Sequence, residues 1–319
     1  MWYNSIIGDS VAIKVFKTID EQIQILQNKG LIIDDVDFVR DILIRENYFF
    51  LSGYRHLFMH EPNDRSYMEG TNFRELYATF NFDRHVRNIA FKHLLMVENN
   101  LKSIFSYQLS KNYGYRESEY LKPSSFTTEP SKFRQINDLI KKMKRQIRVN
   151  GSQHSATSHY LNNYGYIPMW IVVKVLSFGI VSELFSVMKR EDQDAISSIY
   201  NVSVENLSTY LPILANFRNL CAHEDILFNH RTQRAIEDTK YHSSLSIPFD
   251  DNGYIYGKSD LFALIIILKQ LLREEEFRLL INEISYEVDI LAGKLTTINV
   301  ERVLHAMGFP TNFKDLMNL

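Results

Sequence analysis

The stretch NFRELYATFNFDRHVRNIAFKHLLMVENNLKSIFSYQLSKNY, residues 72–113, determines the fold class because it contains neither glycine nor proline. A run of this length without helix breakers predicts one long helix, or two helices joined near 81–83. The rest of the chain follows the same trend, since only 12 glycines and 7 prolines occur in 319 residues. That share is too small for a turn-dense all-β fold. We therefore predict a mostly α-helical, all-α protein.

Shorter helices are predicted on both sides of this stretch. Thr18 and Glu21 form a capping box that begins the first of them, and Gly30 ends it. Periodic apolar residues predict further helices over 34–46, 48–59, 131–149, 168–188, 191–200, 204–229, 260–273, 275–291 and 300–307. Residues 244–257 predict one small β-hairpin, because an Asn-Gly turn separates two short apolar runs. We assign residues 1–240 to one helical core and expect residues 241–319 to pack on it.

Charge and cysteine content exclude several classes of protein. The 36 basic and 38 acidic residues give a net charge of −2, which excludes a histone-like chain and an acidic tail but allows a local basic groove. The single cysteine, Cys221, excludes a disulfide framework and a cysteine-based zinc site. No apolar run is long enough to span a membrane, and the N-terminal MWYNSIIGDS lacks the pattern of a signal peptide. We expect a cytoplasmic protein that does not associate with membranes.

The segment ANFRNLCAH, residues 215–223, is the strongest candidate for chemistry. On a helical wheel with Arg218 at zero, Asn219 lies at about 100° and His223 at about 140°. The apolar residues lie between about 200° and 320°; they are Ile213, Leu214, Phe217, Leu220 and Cys221. The helix therefore buries one face and presents the three polar residues on the other. Arg218 and His223 suit phosphate chemistry, because arginine binds two phosphate oxygens at once and histidine transfers protons near neutral pH.

The spacing of arginine and histidine is not specific by itself. Three other pairs have a similar spacing, namely Arg55/His60, Arg87/His93 and Arg148/His154. A capped, solvated helix face explains the pair in residues 215–223 as well as a catalytic site does. Of these three pairs, only Arg87/His93 lies on a strong predicted helix. We favour Arg87 as a structural residue or a substrate contact there, with a second catalytic pair as the less favoured alternative.

Several segments, taken in chain order, resemble a known family. They are KTIDEQIQIL at 17–26, NYFFLSGY at 47–54, FDRHVR at 82–87 with Glu98, Pro168-x-Trp170, Ser177-Phe-Gly179, and RNLCAHEDILFN at 218–229. The last segment resembles the Arg-Asn-x-x-x-His signature of the HEPN superfamily. The combination, over about residues 14–230, resembles the Abi-like (abortive infection, AbiD/AbiF type) family. Lys174 departs from the pattern, since an acidic residue is expected at that position.

The resemblance implies a HEPN-like helical bundle and a metal-independent endoribonuclease with no cofactor. The ribose 2′-OH would attack the adjacent phosphate and leave a 2′,3′-cyclic phosphate and a 5′-OH. His223 would act as general acid or base, Arg218 would stabilise the phosphorane, and Asn219 would orient one of these groups. The implied partners are an RNA substrate, a second copy of the chain in a homodimer, and a structured noncoding RNA or other antitoxin that inhibits the enzyme in phage defence.

Glu98 is predicted to belong to the same catalytic site. It lies on one helical stripe with four apolar residues, Phe91, Leu94, Leu101 and Phe105. A carboxylate on an apolar stripe needs a partner, because an unpaired charge is costly to bury. Arg218 or His223 would serve as that partner. The other interpretation places Glu98 at the edge of the stripe, half solvated.

The segment 131–149 is predicted to contact RNA. It contains seven basic residues and one acidic residue, and phosphate contacts dominate nucleic-acid affinity. A solvated helix face is nevertheless the commoner cause of a charge run. The predicted RNA contacts are Lys141, Lys142, Lys144, Arg145 and Arg148, with Arg84 and Arg87 as further candidates. Two other functions stay open: a non-catalytic RNA-binding module, and the passive partner of another toxin.

Overall fold

The computed structural model describes residues 15–61, 64–251 and 253–319. Apart from one hairpin and an isolated β-bridge between Ile32 and Asn72, the secondary structure of these residues is helical, which confirms the predicted class. The α-helices are α1 (Ile19–Asn28), α2 (Val36–Glu46), α3 (Tyr48–Ser52), α4 (Phe73–Tyr113), α5 (Glu117–Tyr120), α6 (Phe133–Asn150), α7 (Ser155–Tyr164), α8 (Met169–Val172), α9 (Phe178–Val187), α10 (Arg190–Ile199), α11 (Val204–Ala222), α12 (Lys240–Ser244), α13 (Leu261–Leu271), α14 (Glu274–Ala292) and α15 (Val300–Met307). Four short 3₁₀ helices complete the described helical structure.

The predicted hairpin is present and very short. Strands β1 (Phe249–Asp250) and β2 (Gly253–Tyr254) pair antiparallel, with Phe249 opposite Tyr254. Asn252, which the sequence places in the turn, lies outside the described residues, as does the N-terminal segment 1–14. The hairpin is therefore a local feature of an otherwise helical chain.

The described residues divide into two units. The first contains the chain as far as Phe80 together with Lys294–Ile298, and the second contains Asn81–Gly293 and Asn299–Leu319. All of the candidate site residues lie in the second unit. The domain boundary expected at residue 240 stays a prediction.

The first unit begins with the predicted capping box. The Glu21 carboxylate accepts the backbone N–H of Thr18 at 2.8 Å, and the Thr18 hydroxyl accepts the N–H of Glu21 at 3.3 Å. At the other end of the unit, the buried Glu75 carboxylate accepts the backbone N–H groups of Thr296 and Thr297, each at 2.8 Å. These bonds explain why residues 294–298 join the N-terminal part of the chain.

The core of the second unit forms around α11 and α13. Every residue from Leu261 to Leu268 is buried, as expected for a helix that is apolar on all sides. Helix α11 packs on both α9 and α13, and the Gln270 amide donates to the Tyr210 hydroxyl at 3.1 Å. Although α13 is strongly apolar, no helix in the described ranges is long and apolar enough to cross a membrane. These contacts fix which face of α11 remains available to solvent.

Two predicted helices are interrupted in the structure. Residues 168–188 form α8 and α9 rather than one helix, because the Ser177 hydroxyl accepts the N–H of Ile180 at 3.4 Å and begins a new helix there. Residues 48–59 form α3 followed by a 3₁₀ turn, Arg55–Phe58. Helices α5, α7 and α12 were not predicted, whereas the breaker-free stretch is one helix, α4. The errors thus fall at short helices and at the breaks between helices.

Candidate functional site

The C-terminal end of α11 presents the polar edge that the helical wheel predicts. Asn219 and His223 are exposed and Arg218 is partly exposed, while Leu214 and Phe217 on the opposite face are fully buried. His223 is the C-cap, and its N–H donates to the Asn219 carbonyl at 3.0 Å. Among the described residues, neither the His223 ring nor the Asn219 amide has a hydrogen-bond partner. We call Arg218, Asn219 and His223 the α11 edge.

A buried ion-pair network holds Arg218 in place. Arg218 Nε donates to Glu98 Oε2 at 3.0 Å, and Lys102 Nζ lies 2.7 Å from Glu98 Oε1. The Glu98 side chain is only 4% exposed, so it needs these two partners to remain charged. The structure therefore pairs Glu98 with Arg218, rather than leaving it half solvated. Lys102 was not predicted, although its i,i+4 spacing from Glu98 on α4 was a usable signal.

The remaining donors of Arg218 are available to a ligand. Glu98 occupies Nε, and no residue in the described part of the chain accepts a hydrogen bond from either terminal nitrogen. The guanidinium carbon lies 5.9 Å from the centroid of the Phe91 ring, a cation–π contact that restricts its movement. Two parallel N–H donors on a planar group match two oxygens of one phosphate. With 29% of its side chain exposed, Arg218 can bind an anion from solvent.

The backbone after His223 ends the helix without a glycine. Glu224 has a φ of 57°, in the left-handed region that glycine usually occupies at this position. The N–H of Asp225 donates to the Leu220 carbonyl at 3.2 Å, and the N–H of Glu224 donates to the Cys221 carbonyl at 3.3 Å, which together form a Schellman motif. The predicted helix over 204–229 is therefore wrong at its end, since α11 stops at Ala222.

A buried pair on α4 holds the loop that follows His223. Arg87 Nη1 lies 3.0 Å from Asp83 Oδ2, and the two side chains are 4% and 1% exposed. Arg87 also donates to the Asp225 carbonyl at 3.0 Å, and Asp83 accepts the N–H of Leu227 at 3.1 Å. The buried guanidinium of Arg87 is thus bound to groups within the protein, so the prediction that Arg87 contacts RNA does not fit the structure.

Two other titratable groups near the motif, His93 and Cys221, are poorly suited to catalysis. His93 is fully buried, its Nδ1 lies 2.9 Å from the Ile89 carbonyl, and burial lowers the pKa of its imidazole. An enclosed, neutral histidine does not exchange protons with a substrate, so Arg87 and His93 do not form a second site. Burial also raises the pKa of the Cys221 thiol to about 12, which keeps it protonated and unreactive at neutral pH.

Helix α6 exposes most of the predicted RNA-binding residues. It buries Ile136, Leu139, Ile140 and Met143, and four basic residues fall within a sector of about 60° on the opposite side. The four are Arg134, Lys141, Arg145 and Arg148. Together with the neighbouring Lys144 they form what we call the α6 basic surface. Lys142 is paired with Glu183 at 2.7 Å. Within the described ranges, Lys144, Arg145 and Arg148 have no ion-pair partner, so their charge is available to an anionic ligand.

The remaining predicted features are placed as follows. Arg84 is half-buried on α4 and stays a candidate RNA contact. In the part of the chain that the structure describes, no group of three or more histidine, cysteine, aspartate or glutamate side chains could hold a metal ion. Of the three residues of the α11 edge, the structure brings Arg218 into contact with Glu98.

The fold and the site define a helical protein that presents a partly exposed arginine and an exposed histidine near the end of one helix. The chain matches the model of the Abi-like protein family over residues 41–229, which is more than half of its length. It therefore belongs to the Abi-like protein family. The match includes Glu98 and the α11 edge but not α1, so the resemblance of α1 to the first helix of the family stays a prediction. Neither the curated proteins nor the solved structures provide a match.

Proposed function

We propose that this protein is a HEPN-type endoribonuclease that acts in abortive infection. The observation that carries the proposal is the α11 edge. Glu98 holds Arg218 at 3.0 Å, while the terminal nitrogens of Arg218 and the ring of His223 have no partner among the described residues. The Arg-Asn-x-x-x-His spacing supports the nuclease, and membership of the Abi-like family supports the role in phage defence.

The proposed reaction is transesterification within the RNA strand. The 2′-oxygen attacks the adjacent phosphorus after losing its proton to a general base, and the departing 5′-oxygen takes a proton from a general acid. Arg218 would neutralise the charge that builds up on the phosphorane oxygens. His223 would perform one proton transfer, and Asn219 would orient the phosphate or the imidazole. Glu98 does not reach the solvent, so its part in the mechanism is to position Arg218.

A second copy of the chain would complete the reaction. Each chain supplies one arginine–histidine set at the α11 edge, whereas the two proton transfers need an acid and a base. A composite site in a homodimer would contain two copies of His223, one for each transfer. An active ribonuclease harms its host, so the proposal includes an inhibitor, either a structured noncoding RNA or another antitoxin.

The experiment that tests the proposal measures the ends of the RNA products. Purified wild type and His223→Ala are incubated with the same RNA, and the products are treated with enzymes that distinguish a 2′,3′-cyclic phosphate from a 3′-hydroxyl. The proposal requires cyclic ends from wild type and none from the variant. A non-catalytic RNA-binding module would instead retain the RNA without cutting it in both preparations.

Cleavage should survive removal of divalent cations. The proposed groups are an arginine, an asparagine and a histidine, and the transesterification needs no metal-bound hydroxide. We expect equal cleavage rates before and after treatment with EDTA, measured on one short labelled RNA. A rate that falls on chelation and returns with magnesium would contradict the proposed chemistry.

Charge reversal on the α6 basic surface should weaken RNA binding. We expect the triple variant Lys144→Glu, Arg145→Glu and Arg148→Glu to bind more weakly, and the slope of log affinity against log salt to fall by about 0.7 for each lost phosphate contact. A triple reversal at three other exposed residues, Arg45, Arg278 and Lys314, changes the net charge equally and serves as the control. Equal affinity and slope in the two variants would mean that α6 is only a solvated surface.

A further inference from the structure

A continuous cluster of aromatic side chains lies on the surface of the second unit, outside the α11 edge. Its members are Tyr115, His159, Tyr160, Tyr164, Tyr166 and Trp170, which we call the aromatic platform. The ring centroids of successive members lie 5.3 to 6.4 Å apart. Tyr115, Tyr164 and Trp170 are 40%, 57% and 43% exposed. Single exposed aromatics are ordinary, whereas a connected and exposed group marks an interaction site.

An arginine without an ion-pair partner among the described residues lies against the platform. The Arg116 guanidinium lies 5.8 Å from the ring centroid of Tyr115 and 5.3 Å from that of Tyr166, and no described residue forms an ion pair with it. The two acidic residues beside it are engaged by backbone groups: Glu119 accepts the N–H of Arg116 at 3.1 Å, and Glu117 accepts the N–H of Ile167. Neither carboxylate is paired with the Arg116 guanidinium, which therefore remains available to a phosphate.

Helix α7 of the platform directly follows the helix that carries the α6 basic surface. Helix α7, which carries three of the platform rings, follows α6 after a short turn. The Thr157 hydroxyl donates to the carbonyl of Asn150, the last residue of α6, at 2.5 Å, and the N–H of His154 donates to the same carbonyl at 3.0 Å. The two helices are therefore locked together. Arg145 and Arg148 lie in the last turns of α6, just before α7.

We propose that the aromatic platform binds a single-stranded segment of RNA by stacking unpaired bases on Tyr164 and Trp170, while Arg116 and the α6 basic surface bind its phosphates. Proteins that bind single strands combine these two elements, a basic track for the backbone and aromatic rings for the bases. The α6 basic surface favours a polyanion over a second copy of this chain, because Lys144, Arg145 and Arg148 have no ion-pair partner among the described residues. The inference rests on the proposed function for the identity of the ligand as RNA.

The test measures binding in a His223→Ala background, so that cleavage does not consume the probe. A labelled, unstructured RNA of twelve nucleotides is titrated by fluorescence anisotropy, and a duplex of the same sequence is titrated in parallel. We expect the double variant Tyr164→Leu with Trp170→Leu to bind the single strand at least about 20-fold more weakly, since each lost stacking contact is worth about five-fold or more. Leucine keeps each position apolar and removes the aromatic face on which a base would stack.

Two further variants make the result specific. Tyr164→Phe with Trp170→Phe keeps both aromatic faces and should bind within about three-fold of the parent. Phe249→Leu with Tyr286→Leu changes two other exposed aromatics, 66% and 65% exposed, and should bind like the parent. Parental affinity in the Tyr164→Leu, Trp170→Leu variant would overturn the proposal, as would tighter binding of the duplex. A change in oligomeric state with unchanged RNA affinity would also overturn it, and would identify a protein interface.

The same variants and assays test RNA binding by the aromatic platform independently of RNA cleavage at the α11 edge. If the leucine variants bind RNA normally while wild type still produces cyclic ends, the platform is wrong and the ribonuclease stands. If wild type does not cut RNA but the platform variants lose binding, the nuclease is wrong and the platform stands. Circular dichroism of each variant verifies that the chain is folded before its affinity is interpreted.

Discussion

Replacing His223 with alanine should abolish RNA cleavage and leave the fold intact. The imidazole is exposed and has no partner among the described residues, so its removal should change the free energy of unfolding by no more than about 0.5 kcal/mol. Loss of a proton-transfer group should lower the cleavage rate by about 100-fold or more. The measurement is the initial rate on a short labelled RNA, together with cell growth after induced expression.

Arg218→Ala should give an equal or larger loss of cleavage. This variant removes the two terminal nitrogens that would bind the phosphorane, and it also leaves Glu98 with Lys102 as its only charged partner among the described residues. Arg218→Lys separates the two effects, because lysine can still pair with Glu98 but offers no planar fork to a phosphate. We expect the lysine variant to be folded and inactive, with unfolding measured by urea titration.

A matched control is available in the first unit of the chain. Arg55 and His60 have the same spacing as Arg218 and His223 but lie outside the candidate site. His60→Ala should cut RNA and slow growth as wild type does. Full toxicity of a normally expressed His223→Ala variant would contradict the nuclease mechanism, and equal loss in His60→Ala would show that the assay reports general damage.

Much of the α11 edge could be predicted because its information is local. A helix repeats every 3.6 residues, so the order of apolar and polar residues in 213–223 already assigns Asn219 and His223 to the solvent face. A single physical rule, that a carboxylate on an apolar stripe needs a cation, left Arg218 and His223 as candidate partners of Glu98, and the structure pairs it with Arg218. The long α4 followed from the absence of breakers.

Other features depend on contacts between distant parts of the chain. The bond from Arg87 to the carbonyl of Asp225 joins residues that are 138 positions apart, and no local pattern indicates it. The left-handed Glu224 ends α11 where the sequence offers no glycine. The aromatic platform combines rings from three separate segments, and only the packing of α7 near Tyr115 and Trp170 brings them together.

Removing Asp83 should destabilise the protein more than any change at the α11 edge. Asp83→Ala leaves the Arg87 guanidinium in the interior without its carboxylate partner, and it leaves the N–H of Leu227 without its acceptor. Breaking a buried ion pair in this way should lower the free energy of unfolding by about 3–5 kcal/mol. Urea titration measures this loss. Replacing both partners, as in Asp83→Leu with Arg87→Met, should restore part of the stability, because no uncompensated charge then remains buried.

An exposed pair with the same spacing provides the control for this prediction. Asp41 and Arg45 are also i,i+4 neighbours, 2.8 Å apart, but their side chains are 56% and 71% exposed. Asp41→Ala should therefore lower the free energy of unfolding by less than about 1 kcal/mol. If Arg87→Met proved as stable as wild type and weakened only RNA binding, Arg87 would be an RNA contact after all. Because the buried pair also holds the loop after His223, we expect Asp83→Asn to lose cleavage activity at temperatures where it is still folded.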